Sequence, residues 1–362
     1  MPVELLRERE LADMVVSALQ GMPNVEAVSE QASEAMDSGV DFVVDASING
    51  QPVRLMVQTK NSVFPRDVRA AFWQLKSASR QPASVSSSVH VIPMIAASTI
   101  SDGAKELLQT ERIGYWERGG SLFLADDNLF VLIDKPATKA SQKADRPLFS
   151  GNRSAVIHAL LMHPARWFSA NELAALASVS PSTVSVAFSE LQKRDLAVEQ
   201  GKGPNKTRKL SQPGTLLDEW AKQTVLLPKP NIHRYYVPLV KPEELMRRID
   251  DVCRKLSTSY VITHEWAAQL YSPFLSNISQ VKCRIFPNAP LALIVGELKA
   301  REVEEGSNLG LIESDSIRDM LFSQEIRGVQ VESPILAYLD LLDGEGRSKE
   351  LAEHLRHERI GF

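Results

Sequence analysis

The apolar positions of the front third keep changing rhythm. Leu5, Leu6, Leu11, Met14, Val15, Ala18 and Leu19 form a helical stripe that stops at Gly21 and Pro23. Strand-like runs follow over residues 25–28, 40–47 and 53–59, with Asn49-Gly50 as the hairpin turn between the last two. The spacing of Val68, Phe72 and Leu75 predicts a helix over 65–79, and a Ser-rich stretch at 84–88 leads into a buried strand at 89–96. A helix over 101–110 and short strands at 113–116, 121–124 and 129–133 complete the segment. Helix, three strands, helix, strand, helix and strands is the order of an α/β layer arrangement with a mixed sheet.

The middle of the chain has shorter periods. An apolar helix over 155–162 is closed by His163-Pro164, where proline cannot continue it. Ser169 N-caps a second helix carrying Leu173, Leu176 and Ala177, and Ser180 caps a third, over 182–194, whose first position is Pro181. Val184, Phe188 and Leu191 turn inward in that third helix, which leaves Ser182, Thr183, Ser185 and Ser189 outward. A strand over 196–200, a Gly-Pro-Asn tip at 201–206 and a returning strand at 207–210 follow. The pattern predicts a winged helix-turn-helix. Small hydroxyl side chains on the leading edge of its second helix, with Ser180 at the cap, suit a major-groove reader. The wing region carries Lys193, Arg194, Lys202, Lys206, Arg208 and Lys209 against Asp195 and Glu199, a local positive patch suited to phosphates. The other reading of the same residues, a protein-contact module with solvated cations, stays open on sequence alone.

Beyond the hairpin, a helix is predicted over 214–224, a Pro-marked connector over 226–230, and a change of character at Tyr235. Helices at 242–255 and 265–271 flank a strand at 260–263; strands are predicted at 280–286, 291–295 and 326–331, a loop at 306–310 and a helix at 317–322. Ser333-Pro334 starts a helix through Leu342, residues 343–346 turn the chain, and 347–359 form the last helix. His264 is expected as a core or capping histidine, and Asp340, Asp343 and Glu345 as a solvated helix end. The fold class is therefore α/β and α+β multidomain. Its parts are a front domain over 1–135, a basic linker over 136–150, the winged helix-turn-helix over 151–224 and an α+β domain over 232–362.

Composition narrows this further. A chain of 362 residues with a net charge of −4 carries no global nucleic-acid signal, so any DNA affinity must be local. The two cysteines, Cys253 and Cys283, are expected as reduced core thiols. With no signal-peptide pattern and no apolar run of membrane-spanning length, the chain is expected in the cytoplasm, without a membrane partner.

One constellation in the front domain implies chemistry. Asp41 precedes one hairpin strand while Gln58 and Lys60, two apart on the next, point to one face. A carboxylate, an amide oxygen and a lysine at one sheet end can hold a divalent ion and activate water toward a phosphodiester. This resembles the PD-(D/E)xK nuclease-like fold, in the branch where Gln replaces an acidic ligand, as in Mrr-type restriction enzymes. The resemblance implies Mg²⁺ as cofactor, held by Asp41, and a further Glu from the first helix, with Glu4, Glu8 and Glu10 as candidates. Replacing a carboxylate by an amide lowers Mg²⁺ affinity, and the expectation is a degenerate domain kept as scaffold or DNA-contact module. Arg54, Lys60, Arg66 and Arg69 are candidate phosphate contacts or ordinary surface charges.

The run from Ser333 through Tyr338 and Asp340 to Arg347, continued by Lys349 to Arg356, resembles the C-terminal domain of the AbiEi family of antitoxin-type transcriptional regulators. The likeness extends back through residues 260–268 and Tyr271-Ser272-Pro273 to the winged helix, covering residue 151 to the end, and larger relatives carry a front domain similar to residues 64–75 and 113–116. It implies an operator-binding autoregulator that binds double-stranded DNA. It also implies a nucleotidyltransferase-like toxin encoded alongside, countered without a stable complex. Residues Trp116-Glu117-Arg118-Gly119-Gly120 depart from the front domain's usual acidic-then-Gly-Asn pattern. The alternative function is a Mg²⁺-dependent DNA nuclease addressed by its winged helix; a binding platform for a partner protein is the third.

Overall fold

The structure, a computed structural model, describes residues 2–32, 39–80, 89–135, 148–286, 291–314, 316–344 and 346–362. The Ser-rich stretch at 84–88, most of the basic linker and Glu345 lie outside the described residues. The chain divides into two compact units: residues 1–146 with 189–195, and residues 147–188 with 196–362.

The first unit is built on a seven-stranded mixed sheet whose spatial order is its sequence order. Its strands are β1 (Val25–Ala32), β2 (Phe42–Ile48), β3 (Gln51–Val63), β4 (His90–Ile100), β5 (Gly114–Glu117), β6 (Leu122–Asp126) and β7 (Leu129–Ile133). The β3/β4 and β4/β5 pairs are parallel, because a helix carries the chain back each time: α2 (Pro65–Arg80) and α3 (Asp102–Thr110). The remaining pairs are antiparallel. Asn49 (φ 52) and Gly50 (φ 76) both adopt the left-handed conformation of a two-residue hairpin turn, which joins β2 to β3.

Two apolar clusters sandwich the sheet. Leu11, Val15 and Leu19 of α1 (Pro2–Gln20) pack on Phe42, Val44, Leu55, Val57, Met94 and Trp116. On the opposite face Val68, Leu75, Ala104 and Leu108 from α2 and α3 cover Ile95, Tyr115 and Phe123. Strand β4 is apolar on both faces, as a central parallel strand must be. Glu117, 4% exposed, is held at the end of β5 by Lys105 at 2.7 Å and by the Ile100 amide at 3.1 Å.

The second unit opens with α4 (Gly151–Met162), α5 (Ala170–Leu176) and the first part of α6 (Pro181–Lys193), whose residues from Ser189 on are counted with the first unit. Strands β8 (Ala197–Gln200) and β9 (Thr207–Leu210) follow as an antiparallel hairpin, closed by a 3₁₀ turn at Gly203–Asn205, and α7 (Pro213–Val225) ends the segment. A reciprocal capping box of Ser169 and Glu172 starts α5, and Ser178, at φ 53, turns the chain between α5 and α6.

A second seven-stranded sheet follows, in the order β13-β10-β14-β12-β11-β16-β15. Its strands are β10 (Ile232–Tyr236), β11 (Tyr260–Thr263), β12 (Val281–Ile285), β13 (Arg301–Glu302), β14 (Leu309–Glu313), β15 (Gln324–Ile326) and β16 (Val329–Val331). Helices α8 (Pro242–Lys255), α9 (His264–Tyr271), α10 (Leu291–Glu297), α11 (Pro334–Leu341) and α12 (Ser348–Leu355) complete it. Here several expectations change. Residues 291–295, expected as a strand, belong to helix α10, where burial of Ile294 and then Leu298 follows helical spacing. The loop expected at 306–310 holds over 306–308, while 309 and 310 belong to β14, in which Gly310 sits where a Cβ would meet Ile232 at 2.9 Å. The single strand expected at 326–331 is a hairpin turning at Arg327 (φ 53) and Gly328 (φ 80). Cys253 and Cys283 are both buried free thiols, and burial pushes Cys253 up to about 12.

One buried and one exposed polar contact tie α4 and α7 to the later elements of the same unit. His158 Nε2 lies 2.6 Å from Ser333 Oγ, and Arg356 Nη1 lies 2.6 Å from Asp218 Oδ1. Among the described residues no helix is long and apolar enough to cross a membrane.

Candidate functional site

Helix α6 presents one polar edge. Val184, Ala187, Phe188 and Leu191 are buried, while Ser182, Ser185, Val186 and Ser189 are exposed and fall on one face at three- and four-residue spacing. At its start Ser180 Oγ lies 2.8 Å from Ser182 Oγ and 2.9 Å from Thr183 Oγ1, and it accepts the Thr183 amide hydrogen bond at 3.2 Å. The first turn therefore carries a linked set of hydroxyls, and Val186, 46% exposed, adds a methyl surface beside them.

The cations expected around the hairpin are placed differently from one another. Lys202 is exposed at the turn. Lys206 reaches Glu199 at 2.7 Å, and Lys193 reaches Glu190 at 2.8 Å. Lys209 Nζ lies 5.1 Å from the centroid of the Trp167 ring, and the Arg208 guanidinium lies 5.2 Å from that of Phe188. Only 15% of the Arg208 side chain is exposed, because its strand position faces the core that Phe188 fills. Arg194 is buried.

At the end of the first sheet, the Asp41 amide bonds the Val57 carbonyl at 2.9 Å, which places Asp41 alongside Gln58, Thr59 and Lys60. Its Oδ2 accepts from both the Thr59 amide, at 2.5 Å, and the Thr59 hydroxyl, at 2.8 Å. Gln58 and Lys60 alternate with Val57 along β3, so they stand on the face opposite α1. Gln58 Oε1 is buried without a hydrogen-bond partner. Of the glutamates considered for this site, Glu10 pairs with Arg118 at 2.7 Å; the side chains of Glu4 and Glu8 lie outside the described residues. Arg54 makes a two-point contact with Asp45, at 2.6 and 2.9 Å.

The densest charged cluster is one that the sequence does not announce. His264, Arg284 and Asp340 line a cavity of about 1000 Å³ in the second unit with Glu332 buried beside them, and Asp340 is not on a solvated helix end. Arg284 holds Asp340 at 2.8 Å and approaches Glu332 at 3.8 Å. Desolvation and the neighbouring Asp340 charge push the Glu332 carboxyl well above its usual range, while burial pushes the His264 imidazole down. Beside them burial raises Glu265, but Lys282 at 3.0 Å, a backbone hydrogen bond and the His264 charge together outweigh it and hold Glu265 low. A lone carboxylate between the apolar β16 and the Ser333-Pro334 helix start was the available signal.

No family model matches the chain, and no curated protein matches it. Among solved structures it is similar to EndoMS in apo form, at 17% identity over 30% of this chain and 45% of that one, with a TM-score of 0.22. The match spans less than half of that chain's length, and a likeness at that score carries no argument about fold or function.

Proposed function

We propose that the chain is a double-stranded-DNA-binding transcriptional regulator, an autoregulating antitoxin of the AbiEi type. In this reading α4 to α6 and the β8–β9 hairpin form a winged helix-turn-helix, and α6 enters the major groove. The observation that carries it is the exposed edge of Ser182, Ser185, Val186 and Ser189 on α6, next to a hairpin bearing Lys202 and Lys209. Hydroxyls hydrogen-bond base edges or phosphates, and a valine methyl surface fits the thymine methyl group. The first unit acts as a nuclease-like scaffold, with Asp41 occupied by Thr59. The expected partners are operator DNA and, functionally, a nucleotidyltransferase-like toxin.

One observation favours a second reading, a Mg²⁺-dependent DNA nuclease: the buried Gln58 Oε1 has no hydrogen-bond donor, and a cation held with Asp41 would satisfy it. A single gel series separates the two. The protein is mixed with labelled duplex from its own upstream region, with and without Mg²⁺, over a range of salt. A salt-sensitive shift with intact DNA supports the regulator. Mg²⁺-dependent fragments overturn the scaffold assignment, and no shift at any salt overturns DNA binding.

A further inference from the structure

His264 opens α9, Arg284 lies on β12, Glu332 follows β16 and Asp340 sits in α11. Four separate elements thus bring four ionisable groups together, with His264, Arg284 and Asp340 on the cavity wall and Glu332 buried beside them. Ligand-capable atoms of His264, Glu332 and Asp340 all lie within 4.8 Å of one another, and His264 Nδ1 is 3.5 Å from Asp340 Oδ2. Atoms bound to one ion at about 2.1 Å stand roughly 3–4 Å apart, so little movement closes the set.

The charges do not balance internally. Two carboxylates face a single guanidinium, in a place where Glu332 is 0% exposed and Arg284 8%. Glu332 Oε1 accepts the His264 amide at 2.9 Å, but its buried Oε2 accepts no hydrogen bond. The uncompensated negative charge and the orphaned oxygen coincide at the same atom. A proton or a cation must offset them.

We propose that His264, Glu332 and Asp340 form a binding site for one divalent transition-metal ion of the zinc class. An imidazole beside two carboxylates suits zinc, cobalt, manganese or iron better than magnesium or calcium, which take oxygen donors. Arg284 acts from outside the ligand set by hydrogen-bonding Asp340. Three protein ligands leave a coordination position open to the cavity. Lys282, paired with Glu265, stands at its side.

The test uses the full chain, stripped by chelation and titrated with Co²⁺. The expected result is about one Co²⁺ per chain with a visible ligand-field band, displaced by Zn²⁺. Glu332→Gln and Asp340→Asn, both nearly isosteric, are expected to weaken binding at least tenfold, while His357→Ala on the exposed C-terminal turn leaves it unchanged. No band up to millimolar Co²⁺ overturns the proposal, as does a band of equal strength in folded Glu332→Gln and Asp340→Asn. Circular dichroism reports folding; should either variant misfold, the wild-type titration and the remaining variant decide.

Discussion

The guanidinium of Arg208 lies over the ring of Phe188, 5.2 Å from its centroid, with Glu199 at 3.8 Å on its other flank. A side chain placed in this way braces the hairpin against α6 and contributes less to phosphate contact than its charge suggests. Arg208→Ala is expected to lower stability by about 1–2 kcal/mol in urea unfolding while leaving the salt dependence of DNA binding nearly unchanged. Lys202→Ala, at the exposed turn, should do the reverse and reduce the slope of log affinity against log salt by about one. If Arg208→Ala instead flattens the slope at full stability, the guanidinium leaves Phe188 to meet the backbone of the DNA.

His158 gives unit two a pH dependence of defined sign. Desolvation pushes its imidazole down to about 3 from the ordinary 6.5. Between those values the unfolded chain binds a proton that the folded chain refuses, so this stabilisation is complete above about 6.5 and is lost as pH falls through the window. Each pH unit inside it costs up to about 1.4 kcal/mol. Unfolding at pH 7 and pH 5 should show a steeper loss for the wild type than for His158→Gln, and equal losses would remove His158 as the cause.

Arg284 bonds Asp340 at 2.8 Å and stands 3.8 Å from Glu332. Arg284→Ala strands buried carboxylates and is expected to cost about 3–5 kcal/mol. Adding Asp340→Asn removes one stranded charge and should recover part of the loss, which a double-mutant cycle reads directly. Strict additivity would mean that the two side chains do not interact.

At the other sheet, Asp41→Ala removes the acceptor of both Thr59 hydrogen bonds, and the expected cost is about 1 kcal/mol of stability. Lys60→Ala, in contrast, should leave both stability and DNA binding unchanged. Loss of a Mg²⁺-dependent cleavage in Lys60→Ala would make this end of the sheet an active site.

The front unit was readable because its strands alternate by two and its turns are chemically marked. Asn49-Gly50 takes a conformation that few other pairs adopt, and Val68, Phe72 and Leu75 mark the covered face of α2. The second sheet was less readable for identifiable reasons. Leu291 to Val295 is an unbroken apolar run, which fits helix and strand equally until burial separates Ile294 and Leu298 from their neighbours. Gly310 looked like a loop residue, yet it is in a strand because Ile232 approaches its Cα too closely for any side chain. The cluster of His264, Arg284, Glu332 and Asp340 draws on positions up to 76 residues apart, taking 340 minus 264, and each reads singly as an ordinary polar residue. Hydroxyl positions on α6 were legible from the inward spacing of Val184, Phe188 and Leu191, whereas the inward turn of Arg208 depends on which hairpin face meets Phe188.

The bond between His158 and Ser333 bears on how portable the segment from α4 to β9 is. A fragment cut after α7 would take His158 away from Ser333 and Asp218 away from Arg356, opening to water a histidine that folds only as a neutral, enclosed ring. The three helices and their hairpin are therefore not a cassette to be lifted out and grafted elsewhere. Their integrity is underwritten by residues more than a hundred positions downstream, at 333 and 356.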